Sequence, residues 1–138
     1  MPKMNLKIVT PERIVLDDEV DMVIVRTIDG DRGILPRHAP LLTSLEIGEI
    51  RVKDDGKEQS IASSQGYMEV NSSEVTILVN TAELEDEIDV ERALDAKQRA
   101  QKRLEKKSSE ARINEKRAEI ALRKALNRVN VAKKNKHD

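Results

Sequence analysis

The sequence changes character at one short segment, Ile88-Asp89-Val90-Glu91-Arg92-Ala93. Before it, apolar and polar residues alternate in short runs separated by Gly, Asp and Asn, which is typical of β-strands joined by turns. After it, Ala, Glu, Lys, Arg and Leu dominate and Gly and Pro are absent, a composition that favours helix. Two kinds of secondary structure therefore meet at this junction, and we expect a chain with two parts.

The first part is predicted to be a small all-β domain. Its strand-like runs follow one another at spacings of roughly ten residues, which is typical of a sandwich or a barrel. One run, residues 21–28, is apolar at nearly every position and is expected to be buried on both faces. Asp and Gly predict a turn at residues 29–33, and two prolines in residues 33–42 predict an ordered loop over the core. The predicted strands are 4–8, 13–16, 21–28, 47–53, 59–63, 67–70 and 74–80.

The second part is predicted to be two helices. Small and apolar residues recur every three or four positions, first before and then after Ser108 and Ser109. Serine favours helix ends over helix interiors, so this pair marks the break. Helices joined by a short loop are usually antiparallel, and residues 89–132 therefore predict a hairpin. Its seam is Val90, Ala93, Lys97, Ala100 and Leu104 on the first helix, and Ala118, Leu122, Ala125, Val129 and Ala132 on the second.

These patterns together predict an α+β chain. An N-terminal antiparallel β-sandwich would occupy residues 1–84, and a C-terminal antiparallel two-helix hairpin would occupy residues 85–138. The seam of the hairpin is largely alanine, and each buried methylene contributes only about 0.8 kcal/mol. A compact hairpin and an extended one could therefore lie within a few kcal/mol of each other, which is what a ligand-biased switch requires.

Charge divides along the same boundary. Residues 1–86 hold 9 Lys and Arg against 17 Asp and Glu, whereas residues 87–138 hold 16 against 9. The basic part is expected either to fold back on the acidic part or to bind another acidic surface. Four cations each precede a seam position and would lie on one flank of the hairpin, where a polyanion could bridge them. They are Arg92, Arg99, Lys124 and Arg128.

The composition argues against several classes of function. The chain has no cysteine, which removes thiol chemistry and suits a reducing compartment. His38 has neither a Cys nor a second His near it, so we predict no metal site. No group of residues resembles a catalytic constellation. No run approaches the roughly 18 apolar residues of a membrane span, and the chain is expected to be soluble.

Plainer interpretations stand beside these. Asp89 at a helix start is commonly an N-cap, and Arg92 and Arg99 are commonly solvated cations. A coiled-coil adaptor could use the seam, although short alanine-rich helices are poor material for a long coiled coil. A nucleic-acid-binding module could use the basic tail, although glutamates interrupt it and the chain has one Tyr and no Trp or Phe for stacking.

Four segments carry a likeness to a known family. They are the N-terminal strand pattern, the loop Gly33-Ile34-Leu35-Pro36-Arg37-His38-Ala39-Pro40-Leu41, the segment Gly66-Tyr67-Met68-Glu69-Val70, and the helix start at residues 88–93. Together they resemble the epsilon subunit of bacterial rotary ATP synthases, over essentially the whole chain. The resemblance implies a non-catalytic regulatory subunit of this F-type, proton-translocating complex, peripheral on the cytoplasmic face of the cell membrane. Arg37 stands where the family more often has glycine, which demands either a φ that arginine can adopt or a locally different turn.

The resemblance implies a regulatory ATP site of the bacillus-like kind, in which bound ATP stabilises the folded hairpin and is not hydrolysed. Lys124 occupies a position that the family gives to arginine, and it keeps the charge without the bidentate fork. The resemblance leaves open whether Mg²⁺ accompanies the nucleotide. The ATP-binding set predicted from the flank of the hairpin and from the family pattern is Glu83, Ile88, Asp89, Arg92, Ala93, Arg99, Lys124 and Arg128.

The resemblance also implies partners. The sandwich would dock on the gamma subunit and the ring of c subunits, through a surface that includes Asp31, Arg32 and His38. An extended hairpin would reach the alpha/beta catalytic head and inhibit ATP hydrolysis by meeting an acidic loop of the beta subunit. No nucleic acid is expected as a partner. The cations predicted to meet the acidic loop are Arg112, Lys116, Arg117 and Arg123.

Overall fold

The computed structural model describes residues 2–105 and 112–135. Ten strands are followed by a 3₁₀ turn, Glu85–Glu87, and by two helices, α1 (Val90–Glu105) and α2 (Arg112–Asn135). The predicted order of sandwich and then helices is confirmed. The strands are β1 (Met4–Val9), β2 (Ile14–Val20), β3 (Met22–Thr27), β4 (Gly30–Ile34), β5 (Leu41–Leu45), β6 (Gly48–Asp54), β7 (Lys57–Ser63), β8 (Gly66–Val70), β9 (Glu74–Val79) and β10 (Ala82–Leu84).

The strands form two five-stranded sheets that face each other. The first sheet has the order β2-β1-β9-β8-β5, and the second has the order β10-β7-β6-β3-β4. Neighbouring strands are antiparallel, with the exception of β1 and β9, which pair in parallel. The predicted antiparallel sandwich is therefore confirmed apart from this pair, whose members are too far apart in sequence for periodicity to relate them.

The core between the sheets consists of aliphatic side chains. Alternate residues of β1, β8 and β9 point inwards, and Leu6, Ile8, Ile61, Met68 and Ile77 are completely buried. The prediction that residues 21–28 are buried on both faces is confirmed in part. Val23, Ile24 and Val25 are all buried, whereas Arg26 is exposed. A core without Phe or Trp is thus filled by branched aliphatic residues from both sheets.

The turn predicted at residues 29–33 is wrong for most of its length. Gly30–Ile34 is strand β4, and its ladder with β3 runs from Thr27 opposite Gly30 to Val23 opposite Ile34. Its two glycines made this segment resemble a turn in the sequence. A Cβ at Gly33 would approach Met22 Cε to 2.5 Å, so a larger residue there would require the flexible end of the Met22 side chain to move.

The loop predicted at residues 33–42 is shorter than expected and does not cover the core. Its last residues begin β5, which pairs with β8, and the side chains of Leu35 and Leu42 are 56% and 73% exposed. Strand β10 was not predicted either, because three residues carry too little periodicity. Arg37 has a φ of 67°, in the left-handed region that glycine adopts most easily and that arginine adopts less readily.

The two helices form the predicted hairpin. Ile88 and Val90 at the start of α1 pack with Val131 and Ala132 near the end of α2, so the helices run antiparallel. The predicted seam is confirmed at its alanines, since Ala93, Ala100, Ala118 and Ala125 are buried. Ser108 and Ser109, the predicted break, lie outside the described residues. Neither α1 nor the described part of α2 is long and apolar enough to cross a membrane.

Candidate functional site

The site is formed where α2 lies against the sandwich. Along β7 the side chains alternate, so that Ile61 enters the core while Ala62 lies on the outer face beneath the hairpin. Ala62 packs with Ile88, Val131 and Ala132 in a small apolar cluster, with the partly buried Val90 beside it. This docking cluster (Ala62, Ile88, Val131 and Ala132) joins the two parts of the chain.

Polar contacts continue the junction along α2. Asn127 Nδ2 donates to Gly48 O at 2.7 Å and to Ser63 O at 3.4 Å. Arg128 Nη2 donates to Glu83 Oε2 at 3.1 Å, and its buried Nε lies 2.7 Å from Glu83 Oε1 without the alignment of a hydrogen bond. The sandwich therefore binds α2 through backbone carbonyls as well as through a carboxylate.

A cleft of about 310 Å³ opens beside these contacts. Small side chains leave the space, and two cations and one carboxylate line it. Such a lining combines room for a ligand with a few polar groups that could orient it. The walls are Ala62, Ser63, Ser64, Thr81 and Glu83 from the sandwich, and Ala96, Ala121, Lys124, Ala125, Asn127 and Arg128 from the hairpin.

The structure brings three of the predicted ATP-binding residues together on these walls, namely Glu83, Lys124 and Arg128. Ile88 is buried in the docking cluster and Ala93 in the hairpin. Arg92 and Arg99 are exposed on α1 and do not line the cleft.

Asp89 has the plainer of its two predicted roles, that of a helix N-cap. Its Oδ1 accepts a hydrogen bond from the backbone N–H of Arg92 at 3.1 Å, which makes Asp89 the N-cap of α1. The cap satisfies one of the free N–H groups at the helix start. Asp89 thereby positions the first turn of α1, and a ligand role remains a prediction.

Sequence reasoning missed Asn127 and the sandwich residues of the cleft, Ser63, Ser64 and Thr81. Ser64 Oγ accepts from Thr81 N–H at 2.9 Å, so these two residues brace the wall of the cleft. Helical spacing places Asn127 on the face of α2 opposite the alanine seam, where a polar residue is ordinarily solvated. The sequence therefore carries no signal for Asn127, and none for the serines and the threonine.

The junction before α1 is held by an ion pair that the sequence did not predict. Arg13 Nη1 donates to Glu87 Oε2 at 2.9 Å and Nη2 donates to Oε1 at 2.8 Å, while the Leu84 N–H donates to Oε1 at 3.0 Å. The Arg13 guanidinium, helped by that N–H, lowers the pKa of Glu87, and the pKa of Arg13 is raised in turn. The start of β2 is thus tied to the 3₁₀ turn.

We expect Glu87→Gln to lower the free energy of unfolding at neutral pH and to have no effect in acid. A carboxyl with a lowered folded pKa adds stability above its unfolded pKa, about 4.3, and loses it as pH falls through the folded value. The cost of Glu87→Gln should therefore shrink towards zero as pH falls through the lowered folded pKa of Glu87. Denaturant unfolding at several pH values measures it, with exposed Glu69→Gln as the control. An equal cost at every pH would contradict the ion-pair origin.

The residues predicted to dock other subunits lie at the β4 edge and beyond it. Asp31 Oδ1 accepts from Arg26 Nε at 2.7 Å, Arg32 is exposed, and His38 Nδ1 lies 2.7 Å from Ala39 O. Of the cations predicted for the beta subunit, Lys116 and Arg117 are exposed. Arg123 Nη2 lies 3.5 Å from Glu46 Oε2 of the sandwich, and the side chain of Arg112 lies outside the described part. These roles remain predictions.

One cluster of carboxylates among the described residues has ligand-like spacing. Oxygen atoms of Asp21, Asp54 and Asp55 lie within 4.8 Å of one another. Lys3 Nζ bonds Asp54 and lies 3.1 Å from Asp55 Oδ1 and 3.7 Å from Asp21 Oδ1. These bonds raise the pKa of Lys3, Asp54 foremost. The lysine is thus the counter-ion of the cluster, and we assign no metal to it.

Comparison with known proteins agrees with both parts of the chain. The model of the β-sandwich domain of the ATP synthase delta/epsilon chain matches residues 3–85, and the model of its long α-helix domain matches residues 86–133. The chain is 52% identical over 128 residues to the ATP synthase epsilon chain of Desulforamulus reducens. The aligned region covers 93% of this chain and 96% of the relative. The chain is also 48% identical over 132 residues to the epsilon chain of Halalkalibacterium halodurans, with coverage of 96% and 98%.

Solved structures agree as well. A chain in a cryo-EM structure of the Euglena gracilis mitochondrial ATP synthase, which contains OSCP, F1 and the c-ring, superposes with a TM-score of 0.77 at 26% identity. The match covers 89% of this chain and 77% of that chain. A chain from the central stalk and c-ring of the Tetrahymena thermophila enzyme shares the fold at a TM-score of 0.62 and 12% identity. The two family models, the epsilon-chain relatives and the shared fold lead to one conclusion: this chain belongs to the family of ATP synthase delta/epsilon chains.

Proposed function

We propose that the chain is the epsilon subunit of the central stalk of a proton-translocating F-type ATP synthase, a regulatory subunit without catalytic activity of its own. Its hairpin lies on the sandwich in one state and extends to inhibit ATP hydrolysis in another. ATP that binds in the cleft between α2 and the sandwich favours the folded, non-inhibitory state. The observation that carries this proposal is the meeting of Lys124, Arg128 and Glu83 at that cleft.

The position of the cleft explains how a ligand would act. One wall belongs to the sandwich and the other to the hairpin, so a ligand that touches both binds the docked state better than the released state. Ligand then shifts the equilibrium by its difference in affinity, about 1.4 kcal/mol for each factor of ten. The apolar contact that joins the hairpin to the sandwich is the small docking cluster, so a shift of this size would change the populations of the two states.

The chemistry of the cleft suits a nucleoside triphosphate. Lys124 and Arg128 can donate charge-assisted hydrogen bonds to phosphate oxygens, and the alanines beside them leave room for a flat base. The Glu83 carboxylate is an acceptor that suits the exocyclic amine of adenine. Arg92 and Arg99, exposed on α1, would contact only the part of the ligand that leaves the cleft. Mg²⁺, if it accompanies ATP, would be held mainly by the phosphates.

The proposed partners follow from the family. The Euglena relative is a chain of a complex that contains F1 and the c-ring. We infer that the sandwich docks on gamma and the c-ring, with Asp31, Arg32 and His38 in or near that surface, and that the complex keeps the chain peripheral to the membrane. The exposed side chains of Ile28, Leu35 and Leu42 support a docking surface around the β3–β4 turn, the loop after β4 and the start of β5.

The proposed inhibitory contact uses the outer surface of α2. Lys116 and Arg117 are exposed in the folded state and remain available to an acidic loop, whereas Arg123 would first have to leave Glu46. Neither alternative function gains support here. The alanine seam is buried inside the hairpin, which leaves little of it for a partner helix, and the sole tyrosine lies on the sandwich.

Calorimetric titration of the full chain with ATP tests the proposal. We expect saturable one-to-one binding, weakened about tenfold or more by Lys124→Ala, because a hydrogen bond to a charged group contributes about 1.5–3 kcal/mol. The Asp89→Ala/Arg92→Ala pair tests the motif at the start of α1. Titrations with and without Mg²⁺ establish whether the ion takes part.

Lys116→Ala is the matched control, since it removes the same charge from an exposed position of the same helix. Equal weakening by Lys116→Ala and Lys124→Ala would mean that ATP senses only the net charge of α2. No heat at millimolar ATP would overturn the nucleotide site, and the motif at Asp89 would then serve helix capping alone.

A further inference from the structure

The part of α2 that precedes Val131 and Ala132 of the docking cluster is held on the sandwich by charged and polar side chains. Arg123 and Asn127 are four residues apart and so lie on the same face of the helix. Arg123 pairs with Glu46, and Asn127 donates to Gly48 O, so one helix face contacts the chain between the end of β5 and the first residue of β6. Arg128 pairs with Glu83 of β10 on the other side.

Glu46 is well placed to hold the helix. Its backbone N–H donates to Arg26 O at 3.0 Å, which fixes the segment on β3. Glu46 is not among the residues that line the cleft, whereas Glu83 is. The two carboxylates therefore bind the same helix at two places, one inside the proposed nucleotide site and one outside it.

We propose that Glu46 and Glu83 form a two-carboxylate latch that holds α2 on the sandwich, and that the Glu46–Arg123 half works without nucleotide. Ionic strength is then a second input to the hairpin beside ATP. The proposal rests on the proposed release of the hairpin, but not on nucleotide binding. It also gives Arg123 two exclusive partners, Glu46 when the hairpin is docked and another acidic surface when it is released.

The two halves of the latch should respond differently to salt. The side chains of Arg123 and Glu46 are 55% and 36% exposed, and ions screen such a pair readily. Those of Arg128 and Glu83 are 27% and 30% exposed and are screened less. The hydrogen bonds of Asn127 join neutral groups, so they set the register of α2 at every salt concentration.

Distance measurements on the full chain without nucleotide test the latch. The chain has no cysteine, so Lys53→Cys and Glu119→Cys, at two exposed positions, can carry a pair of nitroxide labels. Pulsed electron spin resonance then gives the docked and released populations. We expect Glu46→Gln to lower the docked-to-released ratio about twofold to fivefold at low salt. We also expect salt to lower the ratio less in Glu46→Gln than in the parent chain.

Three further variants sharpen the test. Glu69→Gln removes the same charge from an exposed position of β8 and should change nothing. Arg123→Glu with Glu46→Arg restores an ion pair and should restore docking that either single change weakens. Val131→Ala weakens the docking cluster and brings the docked and released populations closer together. In this background the effect of Glu46→Gln on the ratio is measurable even if the parent chain is almost entirely docked.

The outcomes separate the latch from the nucleotide site. Populations that do not respond to Glu46→Gln at any salt concentration, in the parent and in the Val131→Ala background, would overturn the latch. A double charge reversal that docks no better than its single variants would do the same. If ATP added to the labelled chain changes nothing while Glu46→Gln does, the latch stands and the proposed nucleotide site fails.

Discussion

Replacing Val131 by aspartate should release the hairpin and leave the sandwich folded. Val131 is completely buried beside Ala62, Ile88 and Ala132, where an ionised carboxylate would have no partner. Burying such a charge costs about 3 kcal/mol or more, which is a factor of roughly a hundred in the docked-to-released ratio. The labelled chain described above measures this ratio at neutral pH, and thermal unfolding of the strands measures the sandwich.

Asn130→Asp is the control for that experiment. It adds the same charge one residue away, at an exposed position of α2, and should leave the hairpin docked. A docked Val131→Asp chain would mean that the cluster does not exclude water. If the proposed nucleotide site is correct, the ATP affinity of Val131→Asp should fall in proportion to the docked fraction measured by the labels, because only the docked fraction binds.

Ile61→Ala, in contrast to Val131→Asp, should destabilise the sandwich itself. Ile61 is completely buried between the sheets, and truncation of such a residue removes its burial and leaves a cavity. The expected loss is about 2–5 kcal/mol in the free energy of unfolding, measured by denaturant titration of the full chain. The hairpin should be lost in the same transition, because its docking surface is the folded sandwich.

Ile28→Ala provides the comparison for Ile61→Ala. It makes the same substitution at a side chain that is 79% exposed, and surface changes of this kind usually stay within about 0.5 kcal/mol. Equal losses at the two positions would contradict the core as described. Together with Val131→Asp, the pair would show that the sandwich folds without the docked hairpin, whereas docking needs the sandwich.

Most strands could be predicted because strand periodicity is local. The runs that became β1, β6, β7 and β9 alternate clearly, and each lies within a residue or two of its prediction. Strand β4 was predicted as a turn because it holds two glycines and an aspartate, residues that are common in turns. Strands β5 and β10 are short and lie at sheet edges, where pairing with a neighbour decides the conformation more than the composition of the segment does.

The candidate site was predictable only in part. Helical spacing placed Lys124 and Arg128 on a common flank, and both line the cleft. The same reasoning included Arg92 and Arg99, which are exposed on α1, because spacing gives the face of a helix and not what covers it. Glu83 entered through the family pattern, since a contact across 45 residues leaves no local trace.

The sequence by itself determined that a sandwich precedes an alanine-seamed hairpin, because binary patterning and helix propensity act over a few neighbouring residues. It also determined the opposite charges of the two parts. Only the tertiary structure decided which sheet face receives α2 and which carboxylates meet Arg123 and Arg128. It also decided that Asn127 binds backbone carbonyls of the sandwich. Those pairings depend on strand order and on the register of α2, which are properties of the folded chain as a whole.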